Sequence, residues 1–128
     1  MDFTNYLADK LIKATVGDET FTAPEKPYLA LFTEDPTKSG FTTSEVAQAS
    51  YNRQEVTMTD PADGVSTNAN QVDWSTATSN WGNVGWIAIM DAPSSGSMLY
   101  FTELDNVKEI LSGDQFRINA NELKLTLT

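Results

Sequence analysis

The sequence predicts a mostly-β protein: an antiparallel β-sandwich or jelly-roll-like barrel of about seven or eight strands, led by one short N-terminal helix. Three observations predict it. Only the first segment carries a helical apolar period, whereas later apolar segments alternate or run short. Turn residues then cut the chain at regular intervals. Composition agrees, because charged residues make up only 20% of the 128 positions. Thr, Ser and Asn take the places that straight-chain charged residues would hold on helix surfaces.

The helix is expected over Asn5 to Val16, with Leu7, Leu11 and Ala14 on one stripe that Tyr6 and Ile12 widen. Thr4 or Asn5 can cap its start and Gly17 stands just past its end. Pro27 to Thr33 is apolar on both faces, as in a central strand. Residues 34–50 read as a long surface loop with one helical turn around Ser44 to Gln48. Tyr51 to Thr59 alternates as a strand, and Asp60-Pro61-Ala62-Asp63-Gly64 is a turn. Val65 to Trp74 reads as one short strand with Val72 and Trp74 inward. Thr76 to Gly82 is a polar corner, and Val84 to Asp91 is the strongest strand. Pro93-Ser94-Ser95-Gly96 closes a hairpin into Met98 to Glu103. Short strands or turns follow at Glu109 to Leu111 and Gln115 to Asn119, and Leu123 to Thr128 is a final alternating strand. The whole of 1–128 reads as one domain, with the helix in 1–17 and the β-sandwich in 27–128.

Composition removes several functions. The chain has no Cys and no His, which excludes thiol nucleophiles, Ser-His and Cys-His catalysis and His-ligated zinc. Its net charge of −10 opposes phosphate neutralisation, and no Lys/Arg cluster is present, so neither nucleic acid nor an anionic membrane is an expected partner. No apolar run approaches the length of a membrane span, and Met1 to Asn5 lacks the start of a signal peptide. Paired carboxylates remain as the available catalytic equipment, as in a small glycan hydrolase, but no motif marks a pair. Asp60 to Gly64 lacks the alternating ligands and closing Glu of a calcium loop. Ser94-Ser95-Gly96-Ser97 matches neither a nucleophile elbow nor a phosphate loop. The sequence therefore predicts no enzyme activity, no catalytic residue, no cofactor and no metal.

Interface residues are the remaining candidates. The helix, through Tyr6, Leu7 and Leu11, either covers its own sandwich or packs into a subunit interface. Trp81, beside Asn80 and Gly82, is either core or an exposed anchor, because Trp has a large apolar body and a polar tip.

Taken together, these pieces resemble a family of small phage virion proteins commonly labelled tail-fibre proteins and similar to capsid decoration proteins. The resemblance lies in the order and spacing of Asn5-Tyr6-Leu7, Pro27 to Pro36, Tyr51-Asn-Arg-Gln-Glu-Val56, Trp81 to Ala92, Leu99-Tyr-Phe101, Gly113-Asp114 and the closing Leu123 to Leu127 strand. It implies a virion β-module made in the host cytoplasm. It also implies a homotrimer set on the major capsid protein at three-fold positions as a cement protein. The alternative it allows is a tail-fibre or baseplate component that binds a host receptor.

Overall fold

The computed structural model describes residues 1–127. In chain order, β1 (Asp2–Phe3) leads into α1 (Asn5–Val16). The strands β2 (Tyr28–Phe32), β3 (Gln54–Glu55), β4 (Val65–Thr67), β5 (Val72–Asp73), β6 (Gly82–Met90), β7 (Met98–Ile110), β8 (Arg117–Ile118) and β9 (Lys124–Thr126) follow. The fold is mostly β with one short N-terminal helix, as the sequence predicts. Its main layer is an antiparallel five-stranded sheet in the order β1-β7-β6-β2-β3, and two two-stranded ribbons, β4-β9 and β5-β8, accompany it. The layers form no closed barrel among the described residues.

The central strands explain the double-sided apolar pattern. On one face of β2 and β6, Leu29, Leu31, Ile87 and Ile89 join Val72, Trp74, Phe116, Ile118 and Leu123 in the larger core. On the other face, Ala30, Phe32, Ala88 and Met90 cluster with Met98 and Phe101. Successive side chains on a strand point to opposite faces, so a strand buried on both sides must read as a continuous apolar run. A loop reaches in beside the second cluster: Gly40, at φ +68°, lies where a β-carbon would stand 3.4 Å from Met98 Cβ.

Thr4 fixes the helix to the sheet. Its Oγ1 donates to the Met98 carbonyl at 2.6 Å and accepts the Leu7 N–H at 3.3 Å, while its own N–H donates to the Leu99 carbonyl. One residue therefore caps α1 and bonds it to β7.

Several local expectations are corrected. No helical turn forms over Ser44 to Gln48. The segment instead covers the outer edge of β2, where the Val46 N–H donates to the Leu31 carbonyl and the Thr33 N–H to the Ser44 carbonyl. Only Gln54–Glu55 of the Tyr51 to Thr59 stretch pairs as a strand, because the remaining edge of β2 is taken by this loop and by the Tyr51 hydroxyl. Val65 to Trp74 divides into two strands that pair with different partners, although Val72 and Trp74 do point inward. Glu109 and Ile110 continue β7, whose length comes from a large irregularity. Val84 pairs with Lys108 and Trp86 with Glu103, so Leu104 to Val107 bulge out opposite the single residue Gly85. The final strand is shorter than expected, and Thr128 lies outside the described residues.

Candidate functional site

The four interface candidates separate into two groups. Leu7 and Trp81 are each 2% exposed and belong to the chain's own core, one of the two placements the sequence leaves open for each. Trp81 packs edge-to-face on Tyr51 with ring centroids 5.6 Å apart, and its Nε1 donates to Ser50 Oγ at 3.2 Å. Leu11 is half-buried against the same core. Tyr6 is exposed at the surface, with the Lys10 ammonium 5.7 Å from its ring centre.

The structure adds exposed apolar residues to the four candidates. Leu7, Leu11 and Ala14 lie on one side of α1, yet they pass from buried through half-buried to exposed. The helix is seated at its start and overhangs at its end. Ile12 (59% exposed) and Val16 (82% exposed) stand one turn apart on the side away from Leu7, and Phe3 is exposed beside the helix start. A lone exposed apolar residue is ordinary, but Ile12 and Val16 expose apolar surface side by side at the end of α1.

A second surface lies along the far half of β7. The Leu104–Val107 bulge and the 115–124 segment enclose an open cleft of about 750 Å³. Its apolar lining includes Leu104, Phe116, Ile118 and Leu123, while Glu103, Asp105 and Glu122 alternate with Lys108, Arg117 and Lys124. Arg117 is engaged by Asp73 at 2.6 Å. Among the described residues, no three acidic side chains gather where they could hold a metal ion.

The densest ionisable cluster is at the β3 edge. Arg53 grips Glu45 with two bonds, from Nε and Nη2, each 2.8 Å long. Its Nη1 donates to the carbonyls of Ala92 and Ser95 in the β6–β7 hairpin. The Tyr51 hydroxyl donates to Glu45 Oε2 at 2.7 Å and accepts the Leu31 N–H. Every polar atom is thus engaged in holding four chain segments together, and the geometry fits clamping rather than proton transfer. Burial first, and the Glu45 charge second, push the Tyr51 hydroxyl well above the ordinary phenol value. Hydrogen bonding to Glu45 likewise favours the charged form of Arg53.

A pH dependence follows. The unfolded phenol ionises near its ordinary value of about 10, and the folded one only at higher pH. Its contribution to stability is complete below about pH 10 and is lost as pH rises from there. Burial raises Tyr100 in the same direction. Tyr51→Phe is expected to lower stability by about 1 kcal/mol at pH 8, through the lost hydrogen bonds, yet to flatten the decline at alkaline pH. Urea midpoints between pH 8 and 11 measure both effects. An unchanged alkaline slope would refute the assignment to Tyr51.

With this geometry established, comparison with known proteins decides the family. The family model described as "Podophage GP4 fiber I protein gp80" matches residues 2–126. The chain belongs to that family. Comparison with curated proteins found no match. Membership in this podophage fibre-protein family bears out the resemblance read from the sequence to tail-fibre-type virion proteins, and a virion location fits it. No helix among the described residues is long and apolar enough to cross a membrane.

Proposed function

We propose that this member of the podophage fibre-protein family is a non-enzymatic structural subunit of the virion. In this reading it is a cement protein that assembles as a homotrimer on the major capsid protein at three-fold positions. The observation that carries the reading is the overhanging end of α1, where Ala14, Ile12 and Val16 are exposed on a helix otherwise docked to its own sheet. A helix of 12 residues is marginal alone, and such an end gains burial from a neighbouring subunit. Each molecule added across a capsomer junction would stabilise the assembled shell by mass action. The acidic remainder of the surface would keep the free subunit soluble. A second reading, a tail-fibre or baseplate component that binds a host receptor, takes its support from the words of the family description.

Copy number in purified particles, measured by quantitative mass spectrometry, tests this. Symmetric occupation of a shell requires on the order of hundreds of copies, whereas a tail carries roughly thirty or fewer. The low number would overturn the cement reading in favour of the fibre one. Absence from the particle would overturn both.

A further inference from the structure

The outer edge of β2 is covered by two pieces of chain that their register identifies as one interrupted strand. Tyr28 and Leu29 pair with Glu55 and Gln54 of β3, and Phe32 pairs with Glu45, both antiparallel. From Leu29 to Phe32 β2 advances three positions, while the covering chain runs back nine, from Gln54 to Glu45, so six residues are extra. This excursion, 47–52, carries Ser50 and Tyr51 across to Trp81. It leaves the Leu31 N–H without a strand partner, and the Tyr51 hydroxyl accepts that N–H at 3.0 Å instead. The Leu31 carbonyl and the Thr33 N–H are bonded by Val46 and Ser44 of the first piece. A bare edge offers such backbone groups to any extended chain.

The two ends of the interruption are tied unequally. Arg53 adjoins β3 and also donates to the Ala92 and Ser95 carbonyls, so the frame holds it whether or not Glu45 is in place. Glu45 belongs to the first piece, and its Oε2 accepts both the Tyr51 hydroxyl and Arg53 Nε. Beyond these bonds the first piece has slight support. Val46 is buried and Tyr51 half-buried, but Phe41 to Thr43 and Ala47 to Ala49 are exposed. The central strands β2 and β6 are instead packed on both faces. Local stability is lowest where buried apolar contacts are few and backbone bonds lie near solvent.

We propose that residues 44–52 form an edge guard that opens as one unit while the sheet stays folded, with Glu45 as its latch and Arg53 as the fixed post. Closed, the guard withholds the Leu31 to Thr33 edge of β2 from other chains. Open, it presents that edge for strand pairing. The far side of the sheet is blunted by other means, since the Leu104–Val107 bulge and the charges of Glu103, Asp105 and Lys108 break up β7. The guard is independent of the position in the particle proposed above.

Native-state hydrogen exchange on the full chain tests it. In the wild type the Leu31, Thr33 and Val46 amides should share one degree of protection, lower by on the order of tenfold or more than that of the Ile87 and Ile89 amides. Glu45→Gln sets an amide N–H against the donors of Arg53 or Tyr51, and should speed exchange of the three guard amides by about tenfold. Phe101→Leu, in the cluster on the opposite face of the sheet, should speed Ile87 and Ile89 and leave the guard amides unchanged. Guard amides as protected as Ile87 and Ile89, or speeding with them in Phe101→Leu, would overturn the independent unit. Unchanged guard rates in Glu45→Gln would overturn the latch. In sedimentation velocity, Glu45→Gln should form larger species than wild type at the same concentration. Matching distributions, with exchange raised, would overturn the guarding role.

Discussion

Arg53→Met is expected to destabilise the fold by about 3 kcal/mol, because it strands a carboxylate and two carbonyls that the guanidinium now serves. The side chains of Arg53 and Glu45 retain only 6% and 15% of their exposure. Without Arg53, Glu45 keeps the Tyr51 hydroxyl as its remaining bonding partner, and the Ala92 and Ser95 carbonyls lose their shared donor. Removing one partner of a buried pair costs more than removing both, since the surviving charge is left uncompensated. The double substitution Glu45→Leu and Arg53→Met should therefore cost less than the sum of the two single changes. Arg53→Lys should recover little, because an ammonium cannot reproduce the two-pronged grip on the carboxylate. Urea unfolding of the four variants measures the coupling. A loss below about 0.5 kcal/mol for Arg53→Met would show that the cluster is too wet to matter.

Arg53 also shows where sequence reading stops. The alternation of Tyr51, Arg53, Glu55 and Thr57 suggests a polar strand face open to water. Two of these four instead point into a junction made by Glu45 and by the hairpin at Ala92 to Ser95. Partners 8 and 39 or more positions away leave no periodic trace in the chain. Trp81 illustrates the same limit: its sequence neighbours are polar, but Ser50 and Tyr51 hold the ring inward while its backbone N–H donates to the Ile110 carbonyl. Local signals served well where local physics decides. The α1 boundaries follow from a capping Thr and a terminal Gly, and β2 and β6 follow from apolar runs too short for core helices. Of the candidate site, Tyr6 and the helix as a whole were legible. Ile12 and Val16 stand out only because the second half of α1 is left exposed, which the apolar period of the helix does not disclose. The cleft depends on a bulge opposite Gly85, and one glycine in a strand does not disclose how many residues its partner inserts.

Asn68→Ala is expected to cost about 3 kcal/mol, and Asn68→Asp more at neutral pH. The residue is fully buried. Its Nδ2 donates to the carbonyls of Asn70 and Asn119 at 2.8 and 2.9 Å, and its Oδ1 accepts the Leu123 N–H at 2.8 Å. Its backbone exchanges two further bonds with Leu123 and Asn121. The amide matches this site in one orientation, for the reversed one would set an oxygen against two carbonyl oxygens. Alanine leaves all three partners unpaired in the interior. A carboxylate keeps the bond from Leu123 but faces both carbonyls with negative charge, so its pKa in the fold rises and stability recovers as pH falls. Urea unfolding at pH 7 and pH 5 separates the variants: Asn68→Asp should gain on acidification relative to Asn68→Ala. Equal losses at both pH values would show that water enters and satisfies the site. The clamp also has a functional reach. Asn119, Glu122, Leu123 and Lys124 form one wall of the cleft, and Asn68 bonds the turn that carries them. Asn68→Ala should thus loosen this wall even where most of the protein remains folded, with faster exchange of the Leu123 amide as its mark.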